Sequence, residues 1–127
     1  MDYLLDTHII LWYLQGDIRL TPIIENLENQ LYVSMASLWE ISIKVGLGKL
    51  SLDNDLSQLK PSLIENDFKI IYISFSDVIA YKSLPLINNH RDPFDRMLIS
   101  QAINRSLILI SHDTQFCHYS GLELSTL

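Results

Sequence analysis

Short apolar runs recur along the chain and alternate with segments whose apolar residues have helical spacing. The runs at 3–5, 31–33, 70–73 and 107–110 are too brief for buried helices and are typical of strands buried on both faces. A further short strand is predicted near 122–124. Strands that alternate with helices favour a parallel sheet covered by helices on both faces, so the expected fold class is α/β.

Helix starts and stops are marked by capping residues between these runs. Thr21 is predicted as the N-cap of the second helix, and Gly46 as the left-handed stop of the third. The last helix has the strongest start, because Asp92 stands at the N-cap, Pro93 follows it, and the acidic Asp95 is at N3. The segment 88–92 before it is predicted as a loop. The predicted helices span about 8–15, 21–29, 34–46, 55–66, 76–84 and 92–105.

Length and composition indicate one globular domain over residues 1–127. The single cysteine, Cys117, excludes an internal disulfide and favours a reducing compartment. No apolar stretch is long enough to span a membrane, and the N-terminus lacks the basic and apolar regions of a secretory signal, so a cytoplasmic protein is expected. The net charge of −6 argues against a module that grips nucleic acid mainly by counterion release.

Four acids occupy positions that suggest a site. Asp6 and Asp113 each follow an apolar strand, Glu40 lies inside an apolar helix, and Asp95 lies in the first turn of another. Ligands of such sheets bind beyond the carboxyl ends of the strands. Each acid also has a structural explanation: Asp6 as a helix cap, Glu40 as a surface partner of Lys44, Asp95 as a favourable charge at a helix start, and Asp113 as a turn residue.

Taken together, these acids imply a cation. Two like charges about 4 Å apart at an effective dielectric near 20 cost about 4 kcal/mol, so a carboxylate cluster persists only when protons or cations neutralise it. Oxygen-only ligands suit a hard ion such as Mg²⁺ or Mn²⁺. Such an ion lowers the pKa of a bound water and stabilises the charge on a phosphodiester.

Four motifs resemble those of PIN-domain proteins, in the same order along the chain. They are Leu5-Asp6-Thr7-His8, Ser37-Leu38-Trp39-Glu40-Ile41, His90-Arg91-Asp92-Pro93-Phe94-Asp95-Arg96 and Ser111-His112-Asp113. The resemblance covers essentially the whole chain and is greatest to the VapC-type ribonuclease toxins of toxin–antitoxin pairs. It implies a PIN-like three-layer α/β/α sandwich with a mainly parallel sheet of four or five strands.

The resemblance also implies a role for each acid. Asp6 and Asp95 correspond to the principal metal-binding carboxylates, and Glu40 and Asp113 to the other two catalytic, metal-binding acids. Two secondary positions are Ser111, which matches a hydroxyl that commonly accompanies the last acid, and Asp92, which not all PIN domains have.

Four basic residues near these acids in sequence are candidates for holding the RNA backbone: Arg91, Arg96, Lys44 and Lys49. The alternative is that they are ordinary solvated surface charges.

The function implied is a Mg²⁺-dependent endoribonuclease, with Mn²⁺ possible, that leaves a 5′-phosphate and a 3′-hydroxyl. The partners implied are an RNA substrate, a cognate antitoxin and a second copy of the chain in a homodimer, with no membrane association. Two alternatives remain open: a metal-dependent phosphatase or nucleotidase acting on small substrates, and a non-catalytic protein whose acidic cleft binds a basic segment.

Other motifs give a weaker indication of function. The segment 46–49 resembles part of a phosphate-binding loop, but Ile43 and Leu50 stand where that pattern needs Gly and Ser or Thr. The histidines lack the spacing of helical metal ligands, and we expect His8 and His112 to be structural or near the site. Trp12 and Trp39 are predicted as core or interface aromatics rather than base-stacking platforms.

Overall fold

The computed structural model describes residues 1–87 and 89–127. Its five strands form one sheet in the order β3-β2-β1-β4-β5, and each neighbouring pair is parallel. The strands are β1 (Asp2–Leu5), β2 (Gln30–Ser34), β3 (Phe68–Ile71), β4 (Ile108–Ser111) and β5 (Glu123–Thr126). All their carboxyl ends therefore lie along one edge, with β1 and β4 side by side at its centre.

Helices cover both faces of this sheet. They are α1 (Thr7–Leu14), α2 (Thr21–Glu25), α3 (Met35–Gly46), α4 (Leu59–Glu65), α5 (Phe75–Lys82) and α6 (Pro93–Arg105). The alternation of side chains along β1 explains the two cores: Leu5 packs with residues of α1, α3 and α4, whereas Leu4 packs with residues of α6 on the other face. The expected three-layer α/β/α sandwich is confirmed, with five strands.

Several boundaries differ from the sequence predictions. The fourth helix begins at Leu59 rather than near 55, because a 3₁₀ turn at Leu56–Gln58 precedes it. The second helix ends at Glu25 rather than near 29, and Thr21 lies inside it, because a 3₁₀ turn at Ile18–Leu20 leads directly into the helix. The third strand begins at Phe68, two residues before the predicted run. Gly46 is still helical, and the left-handed conformation belongs to Gly48, with φ of 73°.

The strongest predicted helix start is confirmed. Asp92 caps α6 by accepting hydrogen bonds from the backbone N–H groups of Phe94 at 2.9 Å and Asp95 at 3.0 Å. Asn88, the first residue of the loop predicted before this helix, lies outside the described residues. No helix in the described part of the chain is long and apolar enough to cross a membrane.

Candidate active site

Asp6 lies at the centre of the carboxyl edge of the sheet. It directly follows β1, its backbone N–H donates to the Ile110 carbonyl at 2.9 Å, and only 2% of the residue is exposed. One carboxylate oxygen, Oδ1, accepts from the Thr7 N–H at 2.8 Å, and the other, Oδ2, accepts from the Ser111 hydroxyl at 2.9 Å. Asp6 therefore is the helix cap that the structural explanation required, but capping engages only one of its two oxygens.

The end of β4 connects Asp6 to Asp113. The fully buried Ser111 hydroxyl donates to Asp6 and accepts from the Asp113 N–H at 3.0 Å. Asp113 caps the 3₁₀ turn Thr114–His118 through the Gln115 N–H at 2.9 Å. Asp6 and Asp113 line one open cleft of about 480 Å³, together with His8, Trp12 and His112. The two histidines thus lie beside the site.

Helix α3 brings Glu40 toward this edge. The buried Thr7 hydroxyl donates to the Ser37 hydroxyl at 3.0 Å, and Glu40 lies one turn further along the same face of α3. Its Oε2 is 3.5 Å from the Lys44 ammonium group, so the predicted pair forms. The other oxygen, Oε1, is buried and has no hydrogen-bond partner among the described residues. A buried carboxylate oxygen without a donor is costly, and this is a feature that a surface ion pair does not explain.

Helix α6 places Asp95 close to α3. The rings of Trp39 on α3 and Phe94 on α6 meet edge to face with centroids 5.1 Å apart, so the two acids that follow them, Glu40 and Asp95, stand on neighbouring helices. Asp95 Oδ2 is 3.1 Å from the Nε2 of the buried His90.

Neighbouring acids contribute to the pKa shifts of Asp6 and Asp95. Burial raises the pKa of Asp6, and the nearby Glu40 carboxylate raises it further, against the lowering effect of hydrogen bonds from Ser111 and Thr7 and of the His8 charge. Burial also raises the pKa of Asp95 to about 6, with added repulsion from Asp6 and Asp92, although its hydrogen bond with His90 lowers it. The hydrogen bonds and positive charges of the protein therefore do not offset the cost of ionising these two acids.

These residues fit a divalent cation by the chemistry of their oxygen donors and by the unpaired Glu40 oxygen. Within residues 1–87 and 89–127, however, the side chains do not bring three His, Cys, Asp or Glu groups around one centre. Mg²⁺ does not require such a cage, because it keeps several waters and is usually bound through one or two carboxylates together with substrate phosphate.

The four basic candidates lie in different environments. Arg91 and Lys49 are exposed, and Lys44 is paired with Glu40. Arg96 is buried, and its guanidinium donates to the carbonyls of Leu84, Pro85 and His90 and to the Tyr119 hydroxyl. A guanidinium enclosed in this way does not reach a phosphate, so the RNA-backbone role expected for Arg96 is not retained.

Sequence reasoning missed two residues beside the site, His90 and Tyr119. The Nδ1 of His90 is 3.0 Å from the Tyr119 hydroxyl, 29 residues further along the chain. His90 lies within one of the four motifs, which was a usable signal, but it was considered only as a metal ligand. Nothing in the local pattern around Tyr119 indicates this contact.

Structural comparison finds this fold in toxin–antitoxin complexes. VapBC2 from Rickettsia felis, bound to a DNA fragment from its promoter, has a TM-score of 0.75 and 22% identity, with 99% of this chain and 98% of that chain covered. DNA-bound VapBC from Salmonella typhimurium has a TM-score of 0.75 and 16% identity, with the same coverage of 99% and 98%. VapBC-1 from nontypeable Haemophilus influenzae has a TM-score of 0.69 and 20% identity, again covering 99% and 98%. At these identities the matches establish the fold.

Sequence comparison is decisive for the family. No curated protein sequence matches the chain. The family described as PIN domain, in contrast, matches residues 3–122, which is nearly the whole chain. PIN domains are generally nucleases that use divalent metal ions. The chain belongs to the PIN domain family.

Proposed function

We propose that this chain is a Mg²⁺-dependent endoribonuclease and the toxin of a type II toxin–antitoxin pair. One observation carries the proposal: the buried Asp6 at the central edge of the sheet and the partly buried Asp95 both have raised pKa values, and one oxygen of Glu40 has no hydrogen-bond partner among the described residues. A protein keeps such an arrangement at the cost of stability when a bound cation offsets it.

In this mechanism Asp6 and Asp95 are the main metal-binding carboxylates, and Glu40 and Asp113 complete the set. A bound Mg²⁺ or Mn²⁺ ion supplies a water of lowered pKa and charge stabilisation on the phosphodiester. Hydrolysis by this water would join its oxygen to phosphorus and break the P–O3′ bond, with a carboxylate of the site taking the proton of the water and the departing O3′ taking a proton from solvent. The products are a 5′-phosphate and a 3′-hydroxyl. Ser111 keeps the Asp6 carboxylate in place through its hydrogen bond at 2.9 Å.

RNA binding is assigned to exposed cations. Arg91 directly precedes the cap of α6, so it is available to a phosphate beside the cleaved bond. Lys49 follows the C-terminal end of α3, the helix that begins at this edge, so its phosphate contact would lie farther along the RNA. Lys44, 3.5 Å from Glu40, adds positive charge inside the acidic region and moderates its repulsion of the RNA.

Membership of the PIN family and the likeness to VapBC complexes support an antitoxin partner. An acidic pocket with unpaired carboxylate oxygens attracts an arginine or lysine inserted by such a partner, which would compete with metal and substrate. A homodimer in the cytoplasm is also proposed. It is supported by the exposed apolar surface of α5 and α3, where Phe75 is 77% exposed, Trp39 59% and Ile79 55%.

The test is cleavage of a labelled RNA oligomer by the purified, antitoxin-free protein, with Mg²⁺ and with a chelator. We expect cleavage that requires the ion and is lost in Asp6→Asn and Asp95→Asn. The matched control is Asp67→Asn, the same chemical change at the exposed residue before β3, at the opposite edge of the sheet. Asparagine tolerates the left-handed φ of 65° at this position, so the control should remain folded and active.

The same assay separates the two alternatives. Hydrolysis of a mononucleotide but not of RNA would indicate the phosphatase. Hydrolysis of neither substrate, with the parent protein still binding a basic peptide, would indicate the non-catalytic binding protein. Undiminished RNA cleavage by Asp95→Asn would show that the site is assigned to the wrong residues.

A further inference from the structure

A chain of buried polar side chains extends behind Asp95, away from the open cleft. Asp95 Oδ2 is 3.1 Å from His90 Nε2, His90 Nδ1 is 3.0 Å from the Tyr119 hydroxyl, and the Arg96 Nη1 is 3.2 Å from that hydroxyl. His90, Tyr119 and Arg96 are each less than a tenth exposed. Three polar groups are therefore removed from water at one point beneath the proposed site, where apolar side chains would pack at lower cost.

Chemistry fixes the direction of these hydrogen bonds. A guanidinium only donates, so the Tyr119 oxygen accepts from Arg96. With a neutral imidazole, we assign the hydroxyl proton of Tyr119 to a hydrogen bond donated to His90 Nδ1, 3.0 Å away. The ring proton of His90 accordingly lies on Nε2 and is donated to the Asp95 carboxylate. The opposite tautomer would place a bare nitrogen lone pair against a carboxylate oxygen and leave the tyrosine proton without a partner.

The backbone that carries His90 is held by the same arginine. Arg96 donates to the His90 carbonyl at 3.4 Å and to the Pro85 carbonyl at 2.9 Å. The His90 ring also packs against Phe116 and Tyr119, with centroids 5.5 Å and 5.7 Å away. Both the position and the orientation of the imidazole are thus determined before any ligand arrives.

We propose that Arg96, Tyr119 and His90 form a directed relay that positions Asp95 for metal binding. His90 engages Oδ2, and no residue within the described ranges donates to Oδ1, which remains available for an ion. Hydrogen-bonded partners of ligating carboxylates orient them and tune their affinity, and losing such a partner typically costs about 10- to 100-fold in metal affinity. These residues are positioning residues, and their role rests on the proposed metal-dependent function.

The first measurement needs no substitution. In the metal-free protein, ¹⁵N NMR of the neutral His90 ring should show the proton on Nε2. A proton on Nδ1 would overturn the relay.

The second measurement is Mn²⁺ affinity, by titration calorimetry or by the electron paramagnetic resonance of the free ion. Tyr119→Phe keeps the ring and deletes the hydroxyl, and we expect it to weaken Mn²⁺ binding about 10-fold or more and to mix the tautomers of His90. The matched control is Tyr72→Phe, which also deletes a hydroxyl hydrogen bond, from Lys60 at 2.6 Å on the exposed surface. The control should leave both readouts unchanged.

A conservative rescue separates positioning from simple stability. His90→Gln retains an N–H donor for Asp95 and should bind Mn²⁺ more tightly than His90→Met, which has similar size and no donor. Equal affinity in the two variants, or unchanged affinity in Tyr119→Phe, would overturn the relay while leaving the metal site standing. A parent protein that binds no Mn²⁺ would overturn the proposed metal site, and the positioning role with it.

Discussion

Two regions of the molecule contain buried or partly buried acids, and the pKa of the acid is lowered in one region and raised in the other. Asp77 on α5 is fully buried, yet it accepts hydrogen bonds from the Arg105 guanidinium at 2.8 Å, Asn104 at 2.9 Å, the Ser74 N–H at 3.0 Å and Gln101 at 3.2 Å. Burial raises the pKa of Asp77, but these donors outweigh it and hold that pKa well below the ordinary value.

At the edge of the sheet the balance is reversed. The pKa of Asp95 is raised to about 6 because burial and the neighbouring acids outweigh its hydrogen bond with His90. The burial of an acid therefore does not by itself indicate function. The number of donors and cations that the protein supplies distinguishes Asp77, which joins α5 to α6, from the acids of the proposed metal site.

The largest expected effect is on activity. Asp95→Asn removes a charge that the protein alone does not neutralise, so metal-dependent RNA cleavage should fall by about 10²- to 10³-fold, in the range typical for losing one electrostatic group in a transition state. Single-turnover cleavage of an RNA oligomer in Mg²⁺ measures this. Asp67→Asn, which should retain full activity, is the control, and equal losses in both variants would contradict the prediction.

The same substitution at Asp77, whose carboxylate is fully hydrogen-bonded, tests the other region. Asp77→Asn removes the buried carboxylate charge that Arg105 and three other donors engage, and losing hydrogen bonds to a charged group costs about 1.5–3 kcal/mol. The Arg105 side chain is 30% exposed, so water partly compensates for the loss of its partner. Because the pKa of Asp77 is lowered in the folded protein, this stabilisation is complete above about pH 4 and is lost as the pH falls. Urea unfolding of parent and variant at pH 7 and pH 3 measures both statements. A variant as stable as the parent at pH 7 would show that the comparison between the two regions is mistaken.

At the proposed site, in contrast, Asp95→Asn should raise the free energy of unfolding when no metal is present. The folded protein binds more protons than the unfolded chain between the ordinary Asp pKa of 3.8 and about 6, so the contribution of Asp95 to stability falls as the pH rises through that window. Without metal at pH 7, Asp95→Asn should therefore be more stable than the parent by about 2 kcal/mol, at 1.4 kcal/mol per unit of pKa shift less the effect of partial exposure.

The measurement is urea unfolding in a chelator at pH 7 and pH 4.5. The advantage of Asp95→Asn should shrink at the lower pH, where the parent carboxyl is protonated in the folded state. Added Mg²⁺ should stabilise the parent more than the variant. A variant less stable than the parent at both pH values would show that Asp95 contributes to stability as Asp77 does.

The fold was largely predictable because the information for it is local. Apolar runs of three or four residues give the strands, and Asp92 with Pro93 marks the start of α6 to the residue. The order β3-β2-β1-β4-β5 was not predictable, since pairing depends on contacts between distant segments. The second helix was extended too far because the pattern at 26–29 does not reveal the extended backbone at Asn26.

Only part of the proposed site has a local signal in the sequence. Asp6 and Asp95 stand out because one follows a strand and the other lies in the first turn of a helix, and their role as metal ligands stays a prediction. The contacts of Asp77 with α6 and of Tyr119 with His90 and Arg96 were not predictable, because these partners are 23 or more residues away in the chain.

The smallest expected effect concerns Arg91 and Arg96, the two arginines on either side of the segment 92–95, which differ in their exposure to solvent. Arg91 is exposed, whereas Arg96 is buried and donates to carbonyls. Arg91→Ala should weaken RNA binding only a few-fold and reduce the slope of log affinity against log salt by about 1, the effect expected for one phosphate contact.

Arg96→Lys provides the comparison, because it keeps the charge and loses the planar fork that binds several carbonyls. It should lower the melting temperature and leave the salt slope unchanged. Binding of an RNA oligomer across a salt series, measured in the Asp95→Asn background to prevent cleavage, distinguishes the two. If the salt slope were reduced in Arg96→Lys and unchanged in Arg91→Ala, the prediction would be wrong. The buried guanidinium of Arg96 would then turn outward on RNA binding and exchange its contacts with backbone carbonyls for contacts with phosphate.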